Sequence, residues 1–289
     1  VTSHDDQARQ PSSIELGRRA FRRRQGLRSV AISLASTLVL AAIAWLTIIN
    51  TPGWARVQQT FFDPEVAWAS LPRVWNGFLL NIRVLLFAVA GVLVVSLIIA
   101  GIRTLRGPVF FPLRALAAAY TDLFRGLPLI ITLFLVGFGV PGLLGPTAPR
   151  IPSETLGTIA LVLTYSAYVS EVFRAGIEAV HPSQRLAARS LGLSHGKSMR
   201  LVILPQAVRK VTPALMNDFI AMQKDVGLIS VLGAVDAVRA AQIQTAQFFN
   251  FTPYVLAGLL FILLALPMIR FTDWYTARLR AREQIGGIV

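Results

Sequence analysis

The sequence holds no cysteine, which excludes disulfides, thiolate metal sites and thiol chemistry. Its three histidines, His4, His181 and His195, are scattered and form no metal-ligand spacing. Charge is sparse: 15% of residues are charged, against about 25% in ordinary soluble domains. Acid is the scarcer sign, with 14 Asp and Glu facing 28 Lys and Arg for a formal net charge of +14. No RNA- or DNA-binding motif accompanies that excess, so nucleic acid is not expected as a partner. A nucleotide loop is missing too. Residues 192–198 read GLSHGKS, with three residues between the glycines where a phosphate-wrapping loop needs four, and no apolar strand leads into them. They read as a glycine-rich turn after a short helix. No catalytic cluster and no metal set stands out, so neither is expected in this chain.

What the sequence has in quantity is apolar residues, 54% of the whole. They gather in blocks long enough to cross a bilayer, which takes roughly 20 helical residues. At this length one polytopic domain is expected rather than two soluble ones. The candidate spans are 29–49, 78–102, 112–140, 155–177, 207–225 and 252–272. Trp54, Trp68 and Trp75 lie where an interface anchor is useful. The third span contains Asp122, Arg125, Gly126 and Pro128. It is either one kinked helix or two shorter ones, because proline removes a backbone donor and clashes with the preceding turn. The fifth is too polar to face lipid and belongs inside a bundle or along a cavity. Behind it, GLISVLGAVDAV reads as a re-entrant or interfacial segment.

The arginines orient these spans. One set of connections carries Arg18, Arg19, Arg22, Arg23, Arg24 and Arg28, then Arg103, Arg106 and Arg114, the group in 174–210, and Arg270, Arg278, Arg280 and Arg282; the other carries Arg56, Arg73, Arg150 and Arg239. Six spans put both termini on the cytoplasmic side of the membrane. The first apolar run is too long for a signal-peptide core and lacks a clear cleavage site, so it reads as a retained helix. The expected division is a basic tail at 1–28, a helix at 29–49, an outer connection at 50–75, a core at 76–275 and an inner tail at 276–289. The arginines of the first tail suit anionic lipid headgroups.

Residues 168–206 are polar and basic between apolar segments. Pro182 suits the first position of a helix. Residues 184–191 give about two turns, and Gly192 supplies a left-handed stop. Ala187 and Ala188 keep that helix thin enough to enter a groove. Leu204 and Pro205 follow. This spacing resembles the EAA loop of bacterial ABC-importer permeases, which presents a coupling helix to an ATPase. The resemblance extends over 76–275. It includes Tyr120, Asp122, Arg125, Gly126, Pro128 and Leu129 in a Tyr-x-acidic-x-x-Arg-Gly-x-Pro-Leu motif, then Glu171, Arg174 and Gly176. Leu204, Pro205, Gln206 and Ala207 follow, then Pro213 and Asn217, and finally Lys224-Asp225-Val226-Gly227-Leu228. Two positions depart from the family: Leu186 stands where it has glutamate, and Val226-Gly227 where it has Thr-Ser.

The resemblance is to permeases for polar amino acids of the glutamate, glutamine, histidine and arginine type. It implies an all-α polytopic membrane protein with a MetI-like type I importer core of five helices, here with one extra N-terminal helix. It implies ATPase coupling through Pro182, Gln184, Arg185, Leu186, Ala187, Ala188, Arg189, Gly192 and Leu193. Arg125, Gly126, Pro128, Arg174, Gly176, Leu204, Pro205, Gln206 and Pro213 would be structural motif positions. The implied partners are two ATPase subunits holding ATP and Mg, an extracytoplasmic amino-acid-binding protein and a second permease chain. The departures favour a second permease of a different sequence. Intramembrane polar groups are costly, which makes Asp122, Glu171, Asn217, Asp218, Lys224 and Asp225 candidates for the substrate path. Asp122 and Arg125 could equally brace one helix as an i,i+3 pair. Glutamate or glutamine is the expected solute. A permease for another solute such as methionine is the alternative. An ATP-independent secondary transporter would need matching internal repeats, and none is visible.

Overall fold

A computed structural model describes residues 13–105 and 107–286. Arg106 and His4 lie outside the described residues, as do the side chains of Arg19, Arg22, Arg23, Arg24, Arg280 and Arg282. The described residues contain helices and turns but no strand. They divide into two units, 1–59 and 60–289.

In the first unit, helix α1 (Ser13–Ile49) is 37 residues long, so the helix starts well inside the expected tail. Its apolar portion, Gln25–Ile49, is long and apolar enough to span a membrane. Asn50 ends it by returning its side-chain amide to the Leu46 carbonyl at 2.6 Å. Trp45 then meets Trp54 edge-on at 6.4 Å. Helix α2 (Trp54–Phe61) leads out of this unit.

The second unit is organised around helix α3 (Pro64–Thr104), 41 residues long. Asp63 caps it, accepting from the Glu65 and Val66 amides at 2.9 and 3.2 Å, with Pro64 at the first position. At 1.5 Å per residue α3 is about 60 Å long, roughly twice the hydrocarbon thickness. It therefore projects beyond the span expected at 78–102.

Helix α4 (Phe111–Gly126) and helix α5 (Leu129–Leu144) meet at 109°, which makes the third candidate span two helices. The cause is local. Leu127, before Pro128, is extended at φ −89° and ψ 132°, because the proline ring disfavours helical backbone in the preceding residue. Helix α5 loosens again into a π turn at Leu135–Gly139, just before Pro141. Helix α6 (Ser153–Glu178) packs along α3. Val84, Leu85, Ala88 and Val92 of α3 share one core with Leu156, Ala160 and Leu161 of α6.

After a short helix α7 (Pro182–Ser190), one turn at His195–Ser198 and a π turn at Met199–Ile203 lead into helix α8 (Leu204–Asp225). The segment expected to be re-entrant forms a 3-10 stretch, Val226–Leu232, then helix α9 (Ala237–Phe248) at 54° to the preceding rod. Helix α10 (Thr252–Gly286) closes the chain. Four helical runs are long and apolar enough to cross a membrane, and the two bent pairs bring the total to as many as 6 among the described residues.

A buried polar staple holds the turn before α9 against α3. Asn81 donates to the Asp236 carboxylate at 3.0 Å and to the Val226 carbonyl at 3.2 Å, and accepts from the Ala237 amide at 3.0 Å. Asp236 also caps α9 through the Arg239 amide at 2.8 Å. Asn81 is 1% exposed and Asp236 0%, so every polar atom there needs a partner inside the protein. The approach depends on Gly77, where an added Cβ would stand 2.6 Å from the Ala237 nitrogen.

Candidate functional site

A helix stands where one was expected, at Pro182–Ser190, and local residues close both its ends. At its start the ring of His181 accepts from the Ser183 amide at 3.2 Å, and Pro182 takes the first position. At its end the Leu193 amide reaches the Ala188 carbonyl at 3.1 Å and the Gly192 amide reaches Arg189 at 2.9 Å. Those two bonds make a Schellman closure, with Gly192 left-handed at φ +74°. Ala188 is buried at 2%, while Ala187 and Arg189 face outward.

This short helix is fastened to α6, and the end of α6 in turn to α8. Arg185 turns inward and donates to the Ile177 carbonyl of α6 at 2.7 Å. From α8, Lys210 donates to the Ala179 carbonyl at 2.7 Å. Both add a donor to carbonyls at the end of α6, where the helix ladder runs out. Val180, Ile203 and Ala207 form a small apolar core beneath, with Ile177 and Met199 against it. Leu186, Leu191 and Leu201 point away from the chain at 63%, 80% and 62% exposure. A groove of about 290 Å³ runs beside the helix, lined by Pro182, Arg185, Leu186, Arg189, His195 and Met199. Of the two arginines expected to take part in ATPase coupling, Arg189 is exposed and Arg185 turns inward to the Ile177 carbonyl.

An ion-pair cluster ties α3 to α6 near the same end. Glu171 pairs with Arg103 through one oxygen and with Arg174 at 2.8 Å through the other. Arg174 continues to Glu178 at 2.6 Å. Gly176 faces Val211 of α8. Asp122 is exposed and stands within electrostatic reach of Arg103. The brace between Asp122 and Arg125 is not formed among the described ion pairs. Arg125 sits instead over the ring of Tyr168 at 6.0 Å, and its carbonyl accepts from the Tyr168 hydroxyl at 3.1 Å. Tyr120 ties α4 to α6 through the Leu163 carbonyl at 2.8 Å and the Ser166 hydroxyl at 2.7 Å.

A different group of candidates comes together on α8. Asp218 and Asp225 are seven residues apart, two helical turns along one face. Asp225 accepts from the Tyr165 hydroxyl of α6 at 2.7 Å, and Asp218 interacts electrostatically with the same tyrosine. One carboxylate oxygen of Asp218 is buried without a hydrogen-bond partner. Such an atom is costly unless something else supplies a donor. Asn217 and Lys224 are exposed on the same helix. The structure thus joins Asp218 and Asp225, and places Asp122 and Glu171 with the ion-pair cluster.

Val226-Gly227, the second departure from the family pattern, serves packing. Val226 is 1% exposed, its carbonyl is held by Asn81, and a Cβ on Gly227 would meet Val238 at 3.2 Å and Phe261 at 3.4 Å. Sequence reasoning missed Asn81, Asp236, Lys210 and Tyr165. An asparagine inside a largely apolar span was the one available signal among them.

Residues 98–281 match the family described as binding-protein-dependent transport system inner membrane component. The chain is 33% identical over 197 residues to the arginine transport system permease protein ArtQ of Bacillus subtilis (strain 168), covering 68% of this chain and 87% of that protein. It is 36% identical over 188 residues to the probable amino-acid ABC transporter permease protein PatM of Vibrio harveyi, covering 65% and 82%. Among solved structures, a chain from an amino acid ABC transporter with histidines aligns with a TM-score of 0.65 at 34% identity, over 72% of this chain and 94% of that one. A chain of the inward-facing methionine transporter MetNI aligns at a TM-score of 0.54 and 16% identity, over 76% and 99%, and shares the fold.

Proposed function

This chain belongs to the family of binding-protein-dependent transport system inner membrane components, and from that premise we propose that it is the transmembrane subunit of an ATP-driven importer of polar amino acids. The observation that carries the reading is the seating of α7. A helix closed at both ends, with apolar side chains outward and cationic fasteners inward, transmits a push. Arg185 passes it to α6 and Lys210 ties α6 to α8. A motor subunit closing on Leu186, Ala187, Arg189 and Leu191 would move α6 and α8 as one body, switching the bundle between outward- and inward-open states. The contact is more apolar than the family's acidic residue would make it, because Leu186 stands there at 63% exposure.

Bond chemistry belongs to the partners: two ATPase subunits hold ATP and Mg, and an extracytoplasmic binding protein delivers the solute. A second permease of different sequence completes the path. Both termini and the 178–206 loop lie on the cytoplasmic side. Arg103, Glu171 and Arg174 fix α3 to α6 at that end. In the path, the unpartnered oxygen of Asp218 suits the ammonium of an amino acid. Two carboxylates on one face favour glutamine or a basic amino acid over glutamate.

The test is co-purification from gently solubilised native membranes. A tagged chain should bring down a Walker-motif ATPase, and Ala187→Glu should lose it while the chain remains folded. Recovery of the chain alone, with ATP-independent uptake into liposomes, overturns the reading.

A further inference from the structure

Two helix faces near the loop end of the bundle approach each other without closing. On α8 the face carries Gln206, Arg209 and Lys210, spaced i, i+3 and i+4. On α10 it carries Phe271, Trp274, Tyr275 and Arg278, spaced i, i+3, i+4 and i+7. Side chains at those spacings share one side of a helix. Together they line a cavity of about 750 Å³. Its charge is of one sign, since Arg209, Lys210 and Arg278 line it and no Asp or Glu does. Arg209 makes no hydrogen bond or ion pair among the described residues. Lys210 spends one donor on the Ala179 carbonyl and keeps the others. Arg278 lies over the Trp274 ring at 5.3 Å, which holds its guanidinium at the rim. Trp274 and Phe271 are each 53% exposed and 5.8 Å apart.

The depth of this cavity is set by α10. No charged residue occurs from Thr252 to Ile269, and Arg270 is the first. About 20 helical residues cross roughly 30 Å of hydrocarbon, so residues 271–279 fall at headgroup level on the loop side. Leu263 and Leu266 stand eight residues before Phe271 and Trp274 on the same ridges of the helix. They are 64% and 45% exposed, an apolar track that runs from the cavity into the hydrocarbon. A phosphate-sized anion explains the three cations; the aromatic wall and the apolar track call for an attached acyl chain.

We propose that this cavity binds the phosphate of an anionic phospholipid from the leaflet on the loop side, with an acyl chain lying along α10. The site is independent of which solute moves. It sits beside Lys210, the fastener between α8 and the end of α6, so an occupied cavity stiffens that junction.

The test uses the purified importer complex, offered phosphatidylglycerol or phosphatidylcholine and examined by native mass spectrometry. Phosphatidylglycerol should be retained and phosphatidylcholine should not. Arg209→Gln with Arg278→Gln should weaken retention roughly thirtyfold, the effect of about two basic side chains at a membrane surface. Both side chains are exposed, so the fold should survive. The charge-matched pair Arg150→Gln with Arg239→Gln should leave retention unchanged. Equal retention of both lipids, or no effect of the double variant, overturns the proposal. Displacement of the lipid by excess inorganic phosphate would make this a free-anion site and overturns it as well. Because the chain has no cysteine, Trp274→Cys reports on cover. Maleimide labelling blocked equally with and without phosphatidylglycerol would mean a protein subunit fills the cavity, and that also overturns it.

Discussion

Replacing Gly192 separates the backbone demand of helix α7 from its packing. The residue sits at φ +74°, and an added Cβ would meet no atom within 4 Å. Steric room is therefore not at issue. The cost of Gly192→Ala is the left-handed backbone alone, roughly 1–2 kcal/mol. Asparagine tolerates that conformation better, and a β-branched side chain tolerates it worst. The penalty acts locally, because the closure serves a 9-residue helix whose attachments to α6 and α8 lie elsewhere. A shift of 1–2 kcal/mol changes the ratio of closed to frayed helix about 5- to 30-fold. In proteoliposomes holding the whole importer, solute-stimulated ATP hydrolysis should fall in the order wild type, Asn, Ala, Val at position 192. The thermal unfolding midpoint should change little. Two results refute the reasoning: equal activity in all four proteins, or an Asn variant as impaired as Val. The first would mean the closure does not matter to coupling, and the second that the residue itself is contacted by the motor.

Three further outcomes are expected. Asn81→Ala strands the buried Ala237 amide and takes one donor from the buried Asp236 carboxylate, and should lower stability by about 2–3 kcal/mol; a loss under about 0.5 kcal/mol in detergent unfolding would discredit the staple. Glu171→Gln should destabilise more than Glu178→Gln, because Glu171 is 14% exposed and serves two arginines while Glu178 is 61% exposed, and exposed pairs contribute under about 1 kcal/mol. Equal unfolding midpoints for the two variants would contradict that ranking. Asp218→Asn should raise the KM for uptake at least about tenfold, from a lost charge-assisted bond, while co-purification of the ATPase is unchanged; an unaltered KM would remove Asp218 from the path.

The sequence by itself determined the features whose causes lie within a few residues of each other. Apolar block length set the spans, and the all-helical MetI-like architecture with an extra N-terminal helix is the one observed. Helix α7 was legible for the same reason, since Pro182 starts it and Gly192 ends it, and both act on neighbouring backbone. Gly126 and Pro128 signalled a break in the third span, though local chemistry left open whether it was a kink. Only tertiary structure decided the rest. The break at Pro128 is local, but α6 holds each half in place, α4 through Tyr120 and α5 through Leu133. Arg125 was free in sequence to choose Asp122 three residues away, yet it sits over Tyr168 of α6. Asn81 and Asp236 are 155 positions apart, and Lys210 meets a carbonyl 31 positions earlier. No periodicity encodes such pairs. They follow from packing, which brings an unsatisfied donor and an unsatisfied acceptor into one dry place where neither can turn to water.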